Sequence, residues 1–470
     1  MEKTTKRMQA AAGGSGAGTD RLGTEPVGRM LFSLAAPAIV AQIINLLYNM
    51  VDRIYIGHIA EVGQLALTGV GVCLPLIMII SAFAALAGMG AAPRASIFLG
   101  KRDKDKAEQT LGNSVTLLFL IAVVLTVLFS VYSKDLLLMF GASENTLPYA
   151  VDYMRIYSLG TLFVQFTLGL NAFITAQGFA KTSMLTVLIG AVTNIILDPI
   201  LIFGLHMGVA GAALATILSQ CLSMVWILRF LTGTKTVLKI RRKNLKPDPK
   251  IILPSVALGL SPFIMQSTES LLAICFNSSL LKYGGDVAVA TMTIASSIMQ
   301  FALLPLQGLT QGAQPIVSYN YGAKNLARVR TAFKILLASC LGYSMTLWAL
   351  VMAFPQVFIR IFNDSPDLEK FGVPCLRIYM AVAGIFGIQI ACQQTFIALG
   401  NAKNSLFLAL LRKIILLIPL IYIMPALFSA DKTRAVFMAE PVADLLAVTT
   451  TATMFAVYFS KIMKEENKKE

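Results

Sequence analysis

The sequence predicts an all-α polytopic membrane protein, with twelve transmembrane helices forming two pseudo-symmetric six-helix lobes around a central cleft. Three observations carry this prediction: an apolar composition, an alternation of basic connections, and an internal repeat at constant offset. Of 470 residues, 56% are hydrophobic and 13% charged. A soluble domain carries roughly 25% charged residues. This chain cannot cover a water-facing surface of its size. That excludes a soluble enzyme, a disordered chain and a nucleic-acid binder, despite a net charge of +15.

In chain order, residues 1–28 read as a flexible cytoplasmic N-terminus containing the low-complexity run Ala11–Gly18. It lacks the order of a signal peptide, so the first apolar segment is expected to be retained as a helix. Twelve apolar segments follow, at about 30–56, 63–97, 105–133, 146–177, 182–203, 209–231, 251–281, 286–319, 325–354, 368–399, 404–427 and 434–462. A bilayer core of ~30 Å needs ~20 helical residues. Several segments exceed that and should tilt, kink or project. The runs are continuous rather than alternating, which argues against a β-barrel. Residues 29–231 form the expected N-lobe, 232–250 a Lys/Arg/Pro-rich linker, 251–462 the C-lobe, and 463–470 a cytoplasmic tail.

Basic residues set the orientation. One set of alternate connections holds 26 Lys and Arg, the other set 6. The richer side includes both termini and the central linker, which are therefore expected in the cytoplasm. The six cysteines lie in or near apolar stretches without metal-ligand spacing and read as small core residues. His58 and His206 stand beside glycines at predicted loop edges, where no metal site is expected.

The two halves match at a constant offset of 222 residues. Gly90-Ala91-x-Pro93 meets Gly312-Ala313-x-Pro315, and Gly100 meets Gly322. Arg155-Ile156-Tyr157 meets Arg377-Ile378-Tyr379. Ala176-x-Gly178-x-Ala180-Lys181 meets Ala398-x-Gly400-x-Ala402-Lys403. Six spans per repeat give both halves the same topology, related by an axis along the membrane normal. Two such lobes enclose a cleft that can open to either side by rocking. The cleft lies within one chain, so a monomer is the expected unit.

Four acidic residues lie well inside spans: Asp52, Asp198, Glu269 and Asp444, with Glu440 near a span end. Each ionised carboxylate facing lipid costs roughly 2.5–3.5 kcal/mol. They should face the interior and are functional candidates. In the first span Gln42, Asn45, Asn49 and Asp52 fall on one helical stripe. Asn194 and Asp198 in the fifth span are i, i+4, as are Asn171 and Thr175 in the fourth and Thr216 and Gln220 in the sixth. The N-lobe thus gathers two carboxylates among polar stripes. In the C-lobe, Gln266, Ser270 and Asn277 accompany Glu269, Gln300 lies in the eighth span, and Gln389 and Gln393 lie in the tenth. Interhelical hydrogen bonding is the ordinary role of intramembrane Asn and Gln, so the carboxylates carry the stronger functional signal. Pro37 and Pro262 precede Asp52 and Glu269 and permit bends there.

No phosphate-binding loop motif appears, so transport would be secondary. Burial disfavours the charged carboxylate, and two neighbouring carboxylates share a proton. A proton and an organic cation could compete for such a site. One charge crossing 100 mV supplies ~2.3 kcal/mol, about a fortyfold concentration ratio.

Over Arg29–Lys461 the chain resembles the MATE (multidrug and toxic compound extrusion) family, in particular its bacterial DinF-like and MepA-like branches. The residues carrying the resemblance are Pro37…Asp52-x-x-Tyr55-Ile56-Gly57, the Gly-Ala-x-Pro pair, Asn194-x-x-x-Asp198-Pro199, and Pro441-x-x-Asp444. The resemblance implies export of cationic amphipathic drugs and dyes from the bacterial cytoplasm across the inner membrane in exchange for H+ or Na+, with antibiotic resistance as a consequence and no other cofactor. It implies a coupling cluster of Asp52, Asn171, Asn194, Asp198 and Thr216, with Na+ as the alternative ion at Asp52, Asn194 and Asp198, and Pro37 as the bending point; Pro262, by its place ahead of Glu269, reads as a second hinge. Glu269 is similar to the seventh-span Glu that binds Na+ in NorM-like members, and with Gln266, Asn277, Gln300, Gln389 and Gln393, read from their place in the C-lobe spans, it forms the expected substrate or second cation site. NorM-like members place an acid in the tenth span. This chain has Gln389, Gln393 and Gln394 there, which favours coupling through the N-lobe.

Two other functions compete. A lipid-linked precursor flippase of the same superfamily would need a cationic cleft, whereas the intramembrane charges read as mainly acidic. A receptor or structural membrane protein would need a sensor or effector domain, and the sequence shows none.

Overall fold

The computed structural model describes residues 17–362 and 365–467, and every regular element among them is a helix. Nine helices are long and apolar enough to cross a bilayer, and two bent pairs bring the number to eleven. One of the nine, Pro249–Gly322, has 74 residues. At 1.5 Å per residue it would be about 110 Å long, far beyond a membrane. Gly285 breaks it, with φ 65° and ψ −161°, so it makes the seventh and eighth spans and twelve crossings result. The bent pairs are the fourth and tenth spans, equivalent by repeat. Leu147–Leu159 and Thr161–Ala176 meet at 58°, and Leu368–Tyr379 and Ala383–Ala398 at 42°.

The repeat extends to backbone geometry. Arg102 and its mate Lys324 are both left-handed, at φ 60° and 59°. Each precedes an N-cap: Asp103 accepts from the Lys106 amide at 3.1 Å, and Asn325 from the Arg328 amide at 3.2 Å. Gly178 and Gly400 also share positive φ. The same short loops therefore start the third and ninth spans and the fifth and eleventh spans.

The lobes touch through small residues. A side chain at Gly100 would strike the Tyr319 carbonyl, and one at Gly322 the Ile97 carbonyl. Positions 97 and 319 are themselves repeat mates, so this contact is its own mirror image. Gly90 and Gly259 bring the second and seventh spans together, and Gly312 packs against Ala35 of the first. Such backbone-to-backbone approach is the usual gain of small residues between membrane helices. All these contacts lie in the half of the molecule bearing the linker and the N-terminal helix. Phe83 and Phe263 meet edge to face at 4.9 Å across the lobes. Beyond them, Asn45, Asn49, Asn277 and Gln300 are exposed. Polar side chains at such depths belong to a water-filled cleft rather than to lipid.

One expectation about the connections needs correction, and two connections gain detail. Of the segment read as flexible, residues 1–16 lie outside the described residues, while Ala17–Thr24 form a helix. Its Leu22 is fully buried in the C-lobe core. The Arg328 guanidinium donates to the Leu22 and Glu25 carbonyls at 3.1 and 2.6 Å, and the Asn320 amide donates to Leu22 at 2.9 Å. At the other end, the helix of the twelfth span runs on to Asn467, through most of the expected tail. The central linker is fastened along its length. Gln177 Oε1 accepts from the Thr236 hydroxyl and from the amides of Val237 and Leu238, each at 2.9 Å. The buried Glu108 pairs with Arg241 at 2.5 Å, and Asn113 accepts from the Asp248 amide at 2.7 Å. The linker is thus bound to the first six spans up to the start of the seventh.

Candidate functional site

In the N-lobe, Asp52 lies near the end of the first span, Asn194 and Asp198 are one turn apart on the fifth, and Thr216 faces them from the sixth. All four are buried. The Asn194 amide donates to Asp198 Oδ1 at 3.2 Å and reaches Thr216 Oγ1 at 3.5 Å. The Asp52 and Asp198 carboxyls face each other within interaction range. Three oxygens of the group, Asp52 Oδ1, Asn194 Oδ1 and Asp198 Oδ2, are buried without a hydrogen-bond partner among the described residues. Every one is an acceptor. Such an oxygen-only lining asks for a proton or a hard cation.

Local sequence makes this arrangement. Pro199 follows Asp198 directly and removes one helical N–H. The helix then passes into a π-helical turn, Ile200–Gly204. Single π turns inside α-helices recur at functional sites.

The structure does not join Asn171 to this cluster. Its amide donates to the Ser183 carbonyl at 3.4 Å, and Ser183 lies about 16 Å of helix below Asn194. The reason is hairpin arithmetic. The fourth and fifth spans reverse at Gln177–Phe179, so Asn171 falls opposite the early part of the fifth span. The same reflection brings Tyr153 and Tyr157, in the upper half of the bent fourth span, to the level of Asp198. Tyr153 contacts Thr216 and lies near Asp52, and Tyr48 lies beside Asp52. The rings of Tyr153 and Tyr157 stack at 6.0 Å. The spacing of Tyr48 to Asp52, i to i+4, was available in the sequence as a signal.

The C-lobe is electrically different from the sequence expectation. Its spans are not mainly acidic, because the eleventh span carries Arg412 and Lys413 on a π-helical segment, Leu411–Leu417. Arg412 pairs with Glu440 at 2.9 Å and Asp444 at 2.7 Å, and its guanidinium lies 4.6 Å over the Phe386 ring. Lys413 pairs with Glu269 and donates to the Met265 carbonyl at 2.9 Å. Glu269 is therefore not a free cation site. Gln389 donates to Gln393 at 3.2 Å, and Gln393 reaches Ser261 Oγ at 3.4 Å. Gln393 thus links the tenth span to the seventh, and Gln389 supports it from one turn before. Gln266 is half-buried one turn before Glu269, while Asn277 and Gln300 are exposed. Neither hinge proline breaks its helix. Pro37 and Pro262 are buried inside continuous spans, with Pro37 between Ala35 and Ile39, which touch Gly312 and Gly308.

The chain is similar to known proteins over most of its length. The MatE family profile matches residues 37–200 and 262–423, one block in each lobe. The multidrug export protein MepA of Staphylococcus haemolyticus (strain JCSC1435) is 26% identical over 430 residues, covering 91% of this chain and 92% of that protein. MepA of Staphylococcus aureus (strain MSSA476) is 26% identical over 406 residues, with 86% and 88% covered. Among solved structures, MATE in the bent conformation superposes with a TM-score of 0.89 at 24% identity, over 95% of this chain and 98% of that one. The outward-facing conformation of a multidrug resistance MATE family transporter of the MOP superfamily superposes with a TM-score of 0.86 at 24% identity, over 95% and 99%.

Proposed function

This chain belongs to the MatE family, and on that premise we propose that it is a secondary multidrug antiporter of the bacterial cytoplasmic membrane. It exports cationic amphipathic drugs and dyes in exchange for H+, with Na+ as the alternative ion, by rocking its two lobes. The observation that carries this reading is the buried Asp52–Asp198 pair with its unpartnered oxygens. Two carboxylates in contact cannot both stay charged in a low dielectric. They hold a proton, or a cation coordinated by Asp52, Asn194 and Asp198. With both termini and the linker in the cytoplasm, as the basic residues direct, the interlobe glycine contacts seal the inner side. The cleft then opens outward, and an external proton reaches the pair. Inward opening requires Gly100, Gly322, Gly90 and Gly259 to separate. Pro37 lies at that contact on the span that ends near Asp52, so it can bend the span as the pair loads.

The flippase alternative loses support from the C-lobe charges. Arg412 and Lys413 are intramembrane bases that an anionic headgroup could use, and three carboxylates already hold them. The test is efflux of ethidium from proteoliposomes under separately imposed gradients. A proton gradient alone is expected to drive it. Efflux driven by sodium alone moves the coupling to Na+, and no response to either gradient removes the antiport reading.

A further inference from the structure

Resting on the cation-export reading above, we infer that Lys413 is a tethered cation that occupies Glu269, and that organic monocations enter the C-lobe half of the cleft by displacing it. The geometry separates the two partners sharply. The Glu269 side chain is 62% exposed and the Lys413 side chain 4%. Glu269 belongs to the middle of the seventh span, beyond the Phe83–Phe263 contact that floors the cleft, so its open side faces water. Lys413 reaches it from behind, out of the eleventh span. A passenger can therefore approach Glu269 from the cleft while the ammonium holds it from within the lobe.

The rest of the network leaves Lys413 one carboxylate. Glu440 and Asp444 of the twelfth span both bind Arg412, which is also seated on the Phe386 ring. The π-helical segment turns these two consecutive bases toward different acids. Arg412 is clamped at three points. Lys413 has Glu269 and the backbone carbonyl of Met265. That carbonyl is one partner the ammonium keeps when Glu269 turns to a passenger. Across the network three carboxylates face two bases. The one negative charge in excess favours an arriving cation over an anion.

This arrangement sets selectivity as a competition. A passenger must offer Glu269 more than Lys413 does, which a neutral or anionic compound cannot. Removing the lysine charge should unmask the carboxylate and tighten cation binding. Such a gain is diagnostic, because structural damage would weaken binding.

The experiment measures binding of ethidium and of tetraphenylphosphonium to the purified full chain. Lys413→Met is expected to bind both about fivefold more tightly than wild type, the scale of one partly exposed ion pair. Lys413→Arg keeps the competitor and should stay within about twofold of wild type. The neutral pair Lys413→Met with Glu269→Gln should lose the whole gain and bind more weakly than wild type, since no carboxylate is left to receive the passenger. Unchanged or weaker binding by a folded Lys413→Met overturns the inference, as does a gain that survives in the double variant. If Lys413→Met does not fold, the double variant is compared with wild type, and equal affinity overturns the inference. Wild type that binds neither probe defeats the cation-export reading itself, a result distinct from the failure of Lys413 alone.

Discussion

The two lobes share a scaffold and differ in charge. The N-lobe cluster has two carboxylates, no base within its hydrogen bonds, and three unpartnered oxygens. The C-lobe cluster has three carboxylates matched to Arg412 and Lys413. Both sit beside a π-helical turn, in the fifth span and in its counterpart, the eleventh. The difference teaches how a duplicated fold divides labour. An unpaired buried carboxylate must acquire a mobile ion, so the N-lobe suits coupling. A carboxylate held in an ion pair stays closed until something competes for it, so the C-lobe suits recognition.

The largest effect should come from breaking the unbalanced side. Asp52→Asn and Asp198→Asn are each expected to lower dye efflux from loaded cells by at least about a hundredfold, the scale of losing a required proton carrier, with membrane expression unchanged. Normal efflux in both would erase the contrast between the lobes.

Next comes the ion-paired side. Arg412→Met leaves Glu440 and Asp444 buried without their cation. Breaking a buried pair from one side costs about 3–5 kcal/mol, so thermal unfolding in detergent should drop by many degrees. Asp198→Asn, by contrast, removes a repulsion and should leave the unfolding temperature equal or higher. If the two variants lose stability equally, the N-lobe pair is as well compensated as the C-lobe network.

The smallest effect probes what the lobes share. Asp103→Ala and Asn325→Ala remove equivalent N-caps, each worth about 1 kcal/mol. Equal small shifts in unfolding are expected from the pair. A large difference would show that the repeat is geometric but not energetic.

Much of the site was legible before the fold. Asp52, Asn194, Asp198 and Thr216 converge as their helical spacing suggested, because i, i+4 periodicity fixes which groups share a face. Asn171 missed because its fate depends on where the fourth span turns back, and Tyr153 took the corresponding level instead. Arg412 and Lys413 stood in plain view within an apolar run, Leu411 to Ile414. The rule that a buried charge needs a partner pointed to the acids of other spans, but not to which acid each base would meet.

The sequence alone determined the crossings, the paired lobes and the bias of basic loops, since these depend on run length, local turn chemistry and charge at span ends. Only the tertiary structure decided which carboxylates stay unbalanced, which are neutralised, and on which side the lobes close. Those outcomes depend on helix rotation, the bends of the fourth and tenth spans and the π-helical slips, which move side chains by several ångströms without leaving a period in the chain.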